Sequence, residues 1–300
     1  MIVITGATGN TGTPAAEALL AKGEILRVIG RDAAKLQTFS SRGAEVFVGN
    51  VEDASEMERA FAGATSAYLL IPQALQREDF RDYQERVSDA YVSAISNSGV
   101  KFAVTLSSIG AQNTEKTGPI LGLHNMEEKL NRVPGLNVLH LRPATFMENL
   151  LMSIDGIRMM NVLPGAFAAD APFPTIATKD VGDYAARRLS KRDFSGHSTQ
   201  ELLGPRDVTM KETAAIIGRA MGKPNLAYVQ MPLPLMESAL ASMGMPKTSA
   251  ALLVELWNAG NNGMLDPQET RSTENTTLTT LEQFAEEIFA PQFLRRAAKA

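Results

Sequence analysis

The chain has no cysteine, only three histidines and a single tryptophan among its 300 residues. Without cysteine it can build no disulfide framework, thiolate nucleophile, iron–sulfur cluster or cysteine-ligated zinc site. His124, His140 and His197 are far apart in sequence and form no HExxH-type pair, so no histidine metal site is expected. No apolar run reaches the roughly 18 residues that a membrane-spanning helix needs. No basic segment precedes the apolar N-terminal run, so no signal peptide is expected, and the expected setting is cytoplasmic, without membrane. The net charge is −4 and positive charge is scattered, which argues against a nucleic-acid partner. Its densest cluster, Arg187, Arg188, Lys191 and Arg192, reads as the solvated end of one helix.

What is present is the composition of a soluble globular protein, 44% apolar and 21% charged. At roughly 150 residues per domain, one large domain or two are expected. The N-terminal half alternates two patterns. Short β-branched or apolar runs (2–5, 25–29, 46–48, 67–71, 102–106 and 138–141) read as strands of a parallel sheet. Between them, 14–22, a segment capped by Asp32, a segment opened by Asp53 or Ser55, 80–96 and a stretch around 126–130 read as helices. Such alternation implies an α/β, doubly wound parallel sheet with right-handed crossovers.

After about Asn149 the rhythm changes. Eleven of the fourteen methionines lie from Met147 onward, and helical pieces at 181–189, 210–221, 236–243, 250–258 and 281–288 are separated by Pro- and Gly-containing loops. The expected organisation is a dinucleotide-binding domain over 1–150, with segments around 175–205 returning to it. Residues 151–300 then form a smaller, mostly helical substrate lobe. The methionines read either as ordinary core or as the lining of an adaptable apolar pocket.

Thr5-Gly6-Ala7-Thr8-Gly9-Asn10-Thr11-Gly12 places three glycines between the first strand and the first helix. One glycine permits the tight turn, another lets backbone approach a pyrophosphate, and the third lets the helix pack against the strand. The helix N-terminus then offers unpaired N–H groups to the phosphates. This is the Rossmann-type arrangement, and Gly6, Thr8, Gly9, Asn10, Thr11 and Gly12 are the candidate cofactor cradle. At the end of the second strand, Arg31, with Lys35 nearby, is placed to contact a 2′-phosphate, which favours NADPH, with NADH as the alternative. Asp32 is placed either to hold the ribose hydroxyls of NAD or to cap the following helix. Asn50 is positioned to approach the adenine, and Leu70, Ile71 and Pro72 to line the cofactor's path, or to serve simply as sheet core and strand ends.

The TGATGNTG start, Arg31, Leu69-Leu70-Ile71-Pro72, His124–Leu130 (HNMEEKL), Leu141–Asn149 (LRPATFMEN) and Ala177–Gly182 (ATKDVG) together resemble the NmrA-like group of atypical short-chain dehydrogenase/reductases. The resemblance covers most of the chain and is least distinctive over the last 60 or so residues. It implies NAD(P)-binding, and one of two activities: reduction of quinones, azo dyes or related compounds, or redox sensing without catalysis.

The wider short-chain dehydrogenase family uses a Tyr-xxx-Lys pair and a serine. No tyrosine here has a lysine four residues later, and Ile120 and His124 stand at the matching positions. By that resemblance Ser107 and Ser108 take the serine's place, and Ser107 is either a hydrogen-bond partner of the acceptor or a turn-capping residue. His124 is either a ribose contact and proton relay or a helix-start histidine without a catalytic role. Pro143, Thr145 and Phe146 are placed against the nicotinamide. Phe146, Met147, Met152, Met159, Met160 and Phe167 are candidate walls for an electrophilic acceptor, to which hydride can pass with positioning as the protein's main contribution. The expected activity is NADPH-dependent reduction of a small quinone-like or azo acceptor. The alternative is a non-catalytic sensor, and only that reading calls for a protein partner.

Overall fold

In the computed structural model, which describes residues 1–297, the N-terminal half alternates strand and helix. β1 (Ile2–Ile4) passes through the glycine turn into α1 (Gly12–Ala21), and β2 (Leu26–Gly30) is followed by α2 (Ala33–Ser40). β3 (Glu45–Val48), α3 (Ala54–Phe61), β4 (Ser66–Leu69) and α4 (Phe80–Ser98) repeat the unit. β5 (Phe102–Leu106) and α5 (Ile120–Asn131) lead to β6 (Asn137–Pro143). The helix boundaries have local causes. Asp53 opens α3 by accepting the Glu56 N–H (2.9 Å), and Gly99 ends α4 in the left-handed region at φ 89°. α5 begins six residues before the 126–130 stretch, because Pro119 starts it without a capping side chain.

The chain then makes β7 (Thr145–Phe146), a 3₁₀ helix (Met147–Ser153), α6 (Ile154–Met160), β8 (Val162–Gly165), β9 (Phe173–Ile176), α7 (Thr178–Lys191) and β10 (His197–Leu202). β10 joins the main sheet, whose order is β10-β6-β5-β4-β1-β2-β3 with every neighbouring pair parallel. Strand order reverses between β1 and β4, and such a switch point opens a crevice outside the strands' C-terminal ends.

β11 (Asp207–Val208), α8 (Met210–Ala220), β12 (Ala227–Gln230), α9 (Leu233–Ser242), α10 (Lys247–Asn261), α11 (Leu281–Phe284), a π-helical turn (Ala285–Phe289) and α12 (Ala290–Ala297) complete the described chain. Two small sheets, β11-β9-β7 and β12-β8, lie, apart from β7, in residues 151–300, the region read from sequence as mostly helical. Their strands are two to four residues long, and Pro164 and Pro174 lie within them, which hides the period-2 signal.

The core follows the pleat. Ile2 and Ile4 face α1, α2 and α7, whereas Val3 faces α3, α4 and α5. α7 meets α1 through Gly182, where a Cβ would lie 2.5 Å from the Thr11 carbonyl oxygen, so only glycine allows this approach. A third cluster, around Met147, Ile157, Met210, Ile217 and Phe284, holds the C-terminal lobe. The methionines do not converge on one pocket. Met147 and Met210 are core, while Met152, Met159, Met160 and Met243 are exposed.

Candidate functional site

The glycine turn has the geometry its sequence requires. Gly6 has φ 60°, and a Cβ there would come within 2.7 Å of the Leu70 side chain. A Cβ on Gly12 would collide with the Gly6 carbonyl group, and Gly9 N–H donates to that same carbonyl (2.9 Å). α1 starts at Thr11 with no capping side chain and no acidic residue in its first turn. The N–H groups of Thr8, Asn10 and Thr11 have no hydrogen-bond partner among the described residues. Unpaired donors at a helix N-terminus, with nothing negative beside them, form an anion cradle that suits a pyrophosphate. Thr8, Gly9 and Asn10 are exposed at its tip. The Thr11 side chain is turned the other way: it is buried, and its hydroxyl accepts from Tyr68 Oη (3.1 Å), so Thr11 offers the cradle backbone alone.

At the end of β2, Asp32 Oδ1 accepts the N–H groups of Ala34 (3.0 Å) and Lys35 (3.3 Å). The carboxylate caps α2 through this oxygen, as one of the two readings of that residue requires. Arg31 is exposed and has no ion-pair or hydrogen-bond partner among the described residues. Lys35 is also exposed, its ammonium 3.8 Å from Asp32. Asn50 Oδ1 accepts the Glu52 N–H (3.2 Å) in a turn after β3. Leu70 is buried over Gly6, and Ile71 and Pro72 are half-buried beyond β4.

Deeper along β5 and β6, α5 lays a stripe of Ile120, His124, Glu127 and Asn131 at helical spacing. Buried Ser107 donates its hydroxyl proton to Glu127 Oε1 (2.5 Å). Arg142 donates Nε to the same oxygen (3.0 Å) and Nη2 to Oε2 (2.5 Å). One turn further, burial pushes His140 down to about 4, so its ring is neutral near pH 7. Its Nε2–H donates to Asn131 Oδ1 (3.0 Å), and Nδ1 accepts from the Thr105 hydroxyl (2.8 Å). These two polar rungs fasten α5 to the sheet.

Ser107 thus directs its hydroxyl hydrogen to Glu127 in this arrangement. Its neighbour Ser108 is the half-exposed serine of the turn. Glu127 and Arg142 escaped the sequence reading although both lie in the quoted segments. The available signal was Arg142 two residues after His140, a charge in an otherwise apolar strand. His124 lies one turn nearer the strand ends, where its Nδ1 is 2.9 Å from the Ala111 carbonyl. A carbonyl only accepts, so Nδ1 carries the hydrogen and Nε2 is the atom able to take up a proton.

The pocket residues do not assemble as expected. Pro143 contributes its carbonyl to Ile109 N–H (3.1 Å), and Phe146 is half-buried against the sheet core. Met147 is buried in the lobe core, beside a small cavity that it lines with Thr175, Val208 and Leu281, and Met152 is 73% exposed. Phe167 is half-buried, with its ring centroid 5.9 Å from that of Phe173. Glu148 accepts the N–H and hydroxyl of Thr178 at the start of α7, and burial pushes its carboxyl above the usual range. Among the described residues no group of three His, Asp or Glu side chains is placed to hold a metal, and no helix is long and apolar enough to cross a membrane.

Relatives share this architecture along most of their length. The chain is 28% identical over 253 residues to the (4-alkanoyl-5-oxo-2,5-dihydrofuran-3-yl)methyl phosphate reductase of Streptomyces griseus subsp. griseus, covering 84% of this chain and 85% of that one. It is 26% identical over 261 residues to the NAD(P)H azoreductase of Xenophilus azovorans, covering 86% of each. The structure of an NADPH-dependent quinone oxidoreductase from Escherichia coli complexed with NADPH superposes with a TM-score of 0.80 at 26% identity, over 96% of this chain and 100% of that one. The NmrA-like family model matches residues 1–285. The chain belongs to the NmrA-like family.

Proposed function

We propose that this protein is an NAD(P)H-dependent reductase that uses NADPH to reduce a small conjugated acceptor of the quinone or azo class. The observation that carries the reading is the uncapped N-terminus of α1, with its unpaired N–H groups and the glycine contacts that keep the approach open. The named reductases among its relatives support the reaction type. Gly6, Gly9 and Gly12, with the backbone of Thr8, Asn10 and Thr11, hold the pyrophosphate. Arg31 and Lys35 meet the 2′-phosphate, a role supported by the capping duty that occupies Asp32. Asn50, Leu70, Ile71 and Pro72 flank the adenosine half, and Pro143 and Phe146 the nicotinamide half.

When bound, NADPH supplies a hydride to the acceptor. The chain's own contribution is to position the reactants and manage one proton. His124 keeps its ring aligned through Ala111, and Nε2 is the atom that holds the proton handed to the reduced acceptor. An acceptor that is already electrophilic needs no stronger acid. A non-catalytic sensor would use the same cofactor cradle, and turnover separates the two readings.

The test is NADPH oxidation by the purified protein against naphthoquinones, benzoquinones and azo dyes. Saturable, acceptor-dependent oxidation is expected, and no turnover with any of them defeats the proposal. Arg31→Ala is expected to weaken NADPH roughly tenfold or more while leaving NADH within about twofold. Equal losses for both would remove Arg31 from the 2′-phosphate.

A further inference from the structure

His124 aligns its ring through Nδ1–H, which donates to the Ala111 carbonyl (2.9 Å), so whatever seats that carbonyl seats the ring. Ala111 lies in the turn that follows β5. On its sheet side the turn is pinned by Ile109 N–H, which donates to the Pro143 carbonyl (3.1 Å). Gly110 follows in the left-handed region at φ 87°, and Ala111 N–H closes back on the Ser108 carbonyl (3.2 Å). Residues 114–116 are exposed, so Asn113 is the last anchor of the turn before the chain returns at buried Thr117.

Asn113 holds that outer side with backbone and side chain. Its N–H donates to the Gly110 carbonyl (3.1 Å), and its Nδ2 donates to the same carbonyl (3.0 Å) and to the Met264 carbonyl (2.8 Å). Both carbonyls only accept, so the amide gives one hydrogen to each side. Met264 stands just beyond α10, and its N–H turns back to the Ala259 carbonyl (3.0 Å). The end of α10 is fastened to the lobe by Asn261, which donates to the Ala166 carbonyl (2.9 Å) and accepts from Ala168 N–H (2.8 Å). Leu265 closes over the same turn, where a Cβ on Gly110 would collide with its side chain.

We propose that Asn113 is a positioning residue for His124: it ties the Ala111 turn to the end of α10, so that the seating of the C-terminal lobe sets the ring that holds the proton. The proposal rests on the role given to His124 in the reductase reading above. The Leu265 contact fixes closeness but no direction, whereas the two amide bonds fix how the turn's carbonyls point. With the Ala111 carbonyl out of line, the hydrogen is no longer held on Nδ1, and the ring presents the wrong atom part of the time. Misplacement of that kind costs turnover without costing binding. The rungs at Glu127 and His140 hold α5 itself and remain when Asn113 is changed.

The test joins ring-nitrogen NMR of ¹⁵N-histidine-labelled protein to kinetics. The spectrum of H124Q identifies the His124 signals among the three histidines. Wild type is expected to hold the neutral His124 ring as the Nδ1–H tautomer, and N113A and the isosteric N113D to show both tautomers. His140 should keep its signals in each variant, which reports an intact fold. In NADPH oxidation with 1,4-naphthoquinone, N113A is expected to lose roughly fivefold in kcat, with KM and the Kd for NADPH within about twofold. Added to H124Q, N113A should cost less than about twofold more, because it acts through that ring. A His124 tautomer as pure in N113A and N113D as in wild type overturns the proposal. So does an unchanged kcat, or a kcat loss that persists in the H124Q background. Absence of NADPH oxidation by wild type with every acceptor overturns the reductase reading instead. The tautomer alone then decides: mixing retains Asn113 as the residue that seats His124, and no change removes it.

Discussion

The glycine turn and the α5 ladder stand at the same edge of one sheet, yet they are built on opposite principles. The turn is made of backbone: its donors are N–H groups left unpaired, and its side chains are kept small so that a ligand can come close. The ladder is made of buried and half-buried side chains whose polar groups pair with one another, Ser107 and Arg142 with Glu127, Thr105 and Asn131 with His140. Unsatisfied groups are tolerated where a ligand or water can reach them. Satisfied ones are required where neither can. The difference teaches where chemistry is available, because a group already paired in the interior has nothing left to offer a substrate.

The comparison breaks first at Glu127. Glu127→Ala leaves the half-buried Arg142 guanidinium without its carboxylate, and a loss of about 3–5 kcal/mol in unfolding free energy is expected, read by urea denaturation. A loss below about 1 kcal/mol would mean that the ladder holds little.

The second test falls on the second rung and on pH. His140 is neutral when folded because burial holds it at about 4, whereas the unfolded ring titrates near its ordinary 6.5. Glu127 and Glu128 oppose that shift, and Arg142 and His197 reinforce it. As pH falls through 6.5 the unfolded chain takes up the proton first, so stability is fully present above that value and is lost toward 4. Between pH 7 and pH 5 the loss from this group is about 2 kcal/mol. His140→Gln should flatten that part of the profile in urea titrations at the two pH values, and an unaltered slope would count against a buried neutral ring.

The smallest stability effect, with the sharpest functional one, belongs to the turn. Gly12→Ala sets a Cβ against the Gly6 carbonyl group and should cost about 1–3 kcal/mol by thermal melting. NADPH affinity should fall at least roughly tenfold, because the cradle must open to admit the methyl. Retained affinity would show that the turn does not hold the pyrophosphate.

Much of the fold was legible because it depends on local periodicity. Strands β1 to β6 and helices α1 to α4 fall within a few residues of the runs that announced them, since alternating buried strands and amphipathic helices are written along the chain. The small sheets were not, because strands as short as Asp207–Val208 carry no period of their own. At the site, Gly6 and Gly12 could be read directly, since the positive φ of Gly6 and the close approach of Gly12 to the Gly6 carbonyl both require glycine. Asp32 could be read from sequence only as a pair of alternatives, and the structure adds that one of its oxygens accepts two N–H groups of α2. The partner of Ser107 was not legible, because nothing in its neighbourhood of sequence announces Glu127, which reaches it from 20 residues away.

The sequence by itself determined the doubly wound sheet, the glycine turn and the absence of thiol chemistry and of a Tyr-xxx-Lys pair. Each follows from residue identity or from spacing within a few turns of chain. Only the tertiary structure decided which polar groups remain free. It turned Thr11 toward Tyr68, tied Ser107 to Glu127, left His124 with Nε2 and buried Met147. The physical reason is that hydrogen-bond capacity and burial are settled by partners distant in sequence. A side chain's chemistry is set by what has already claimed it.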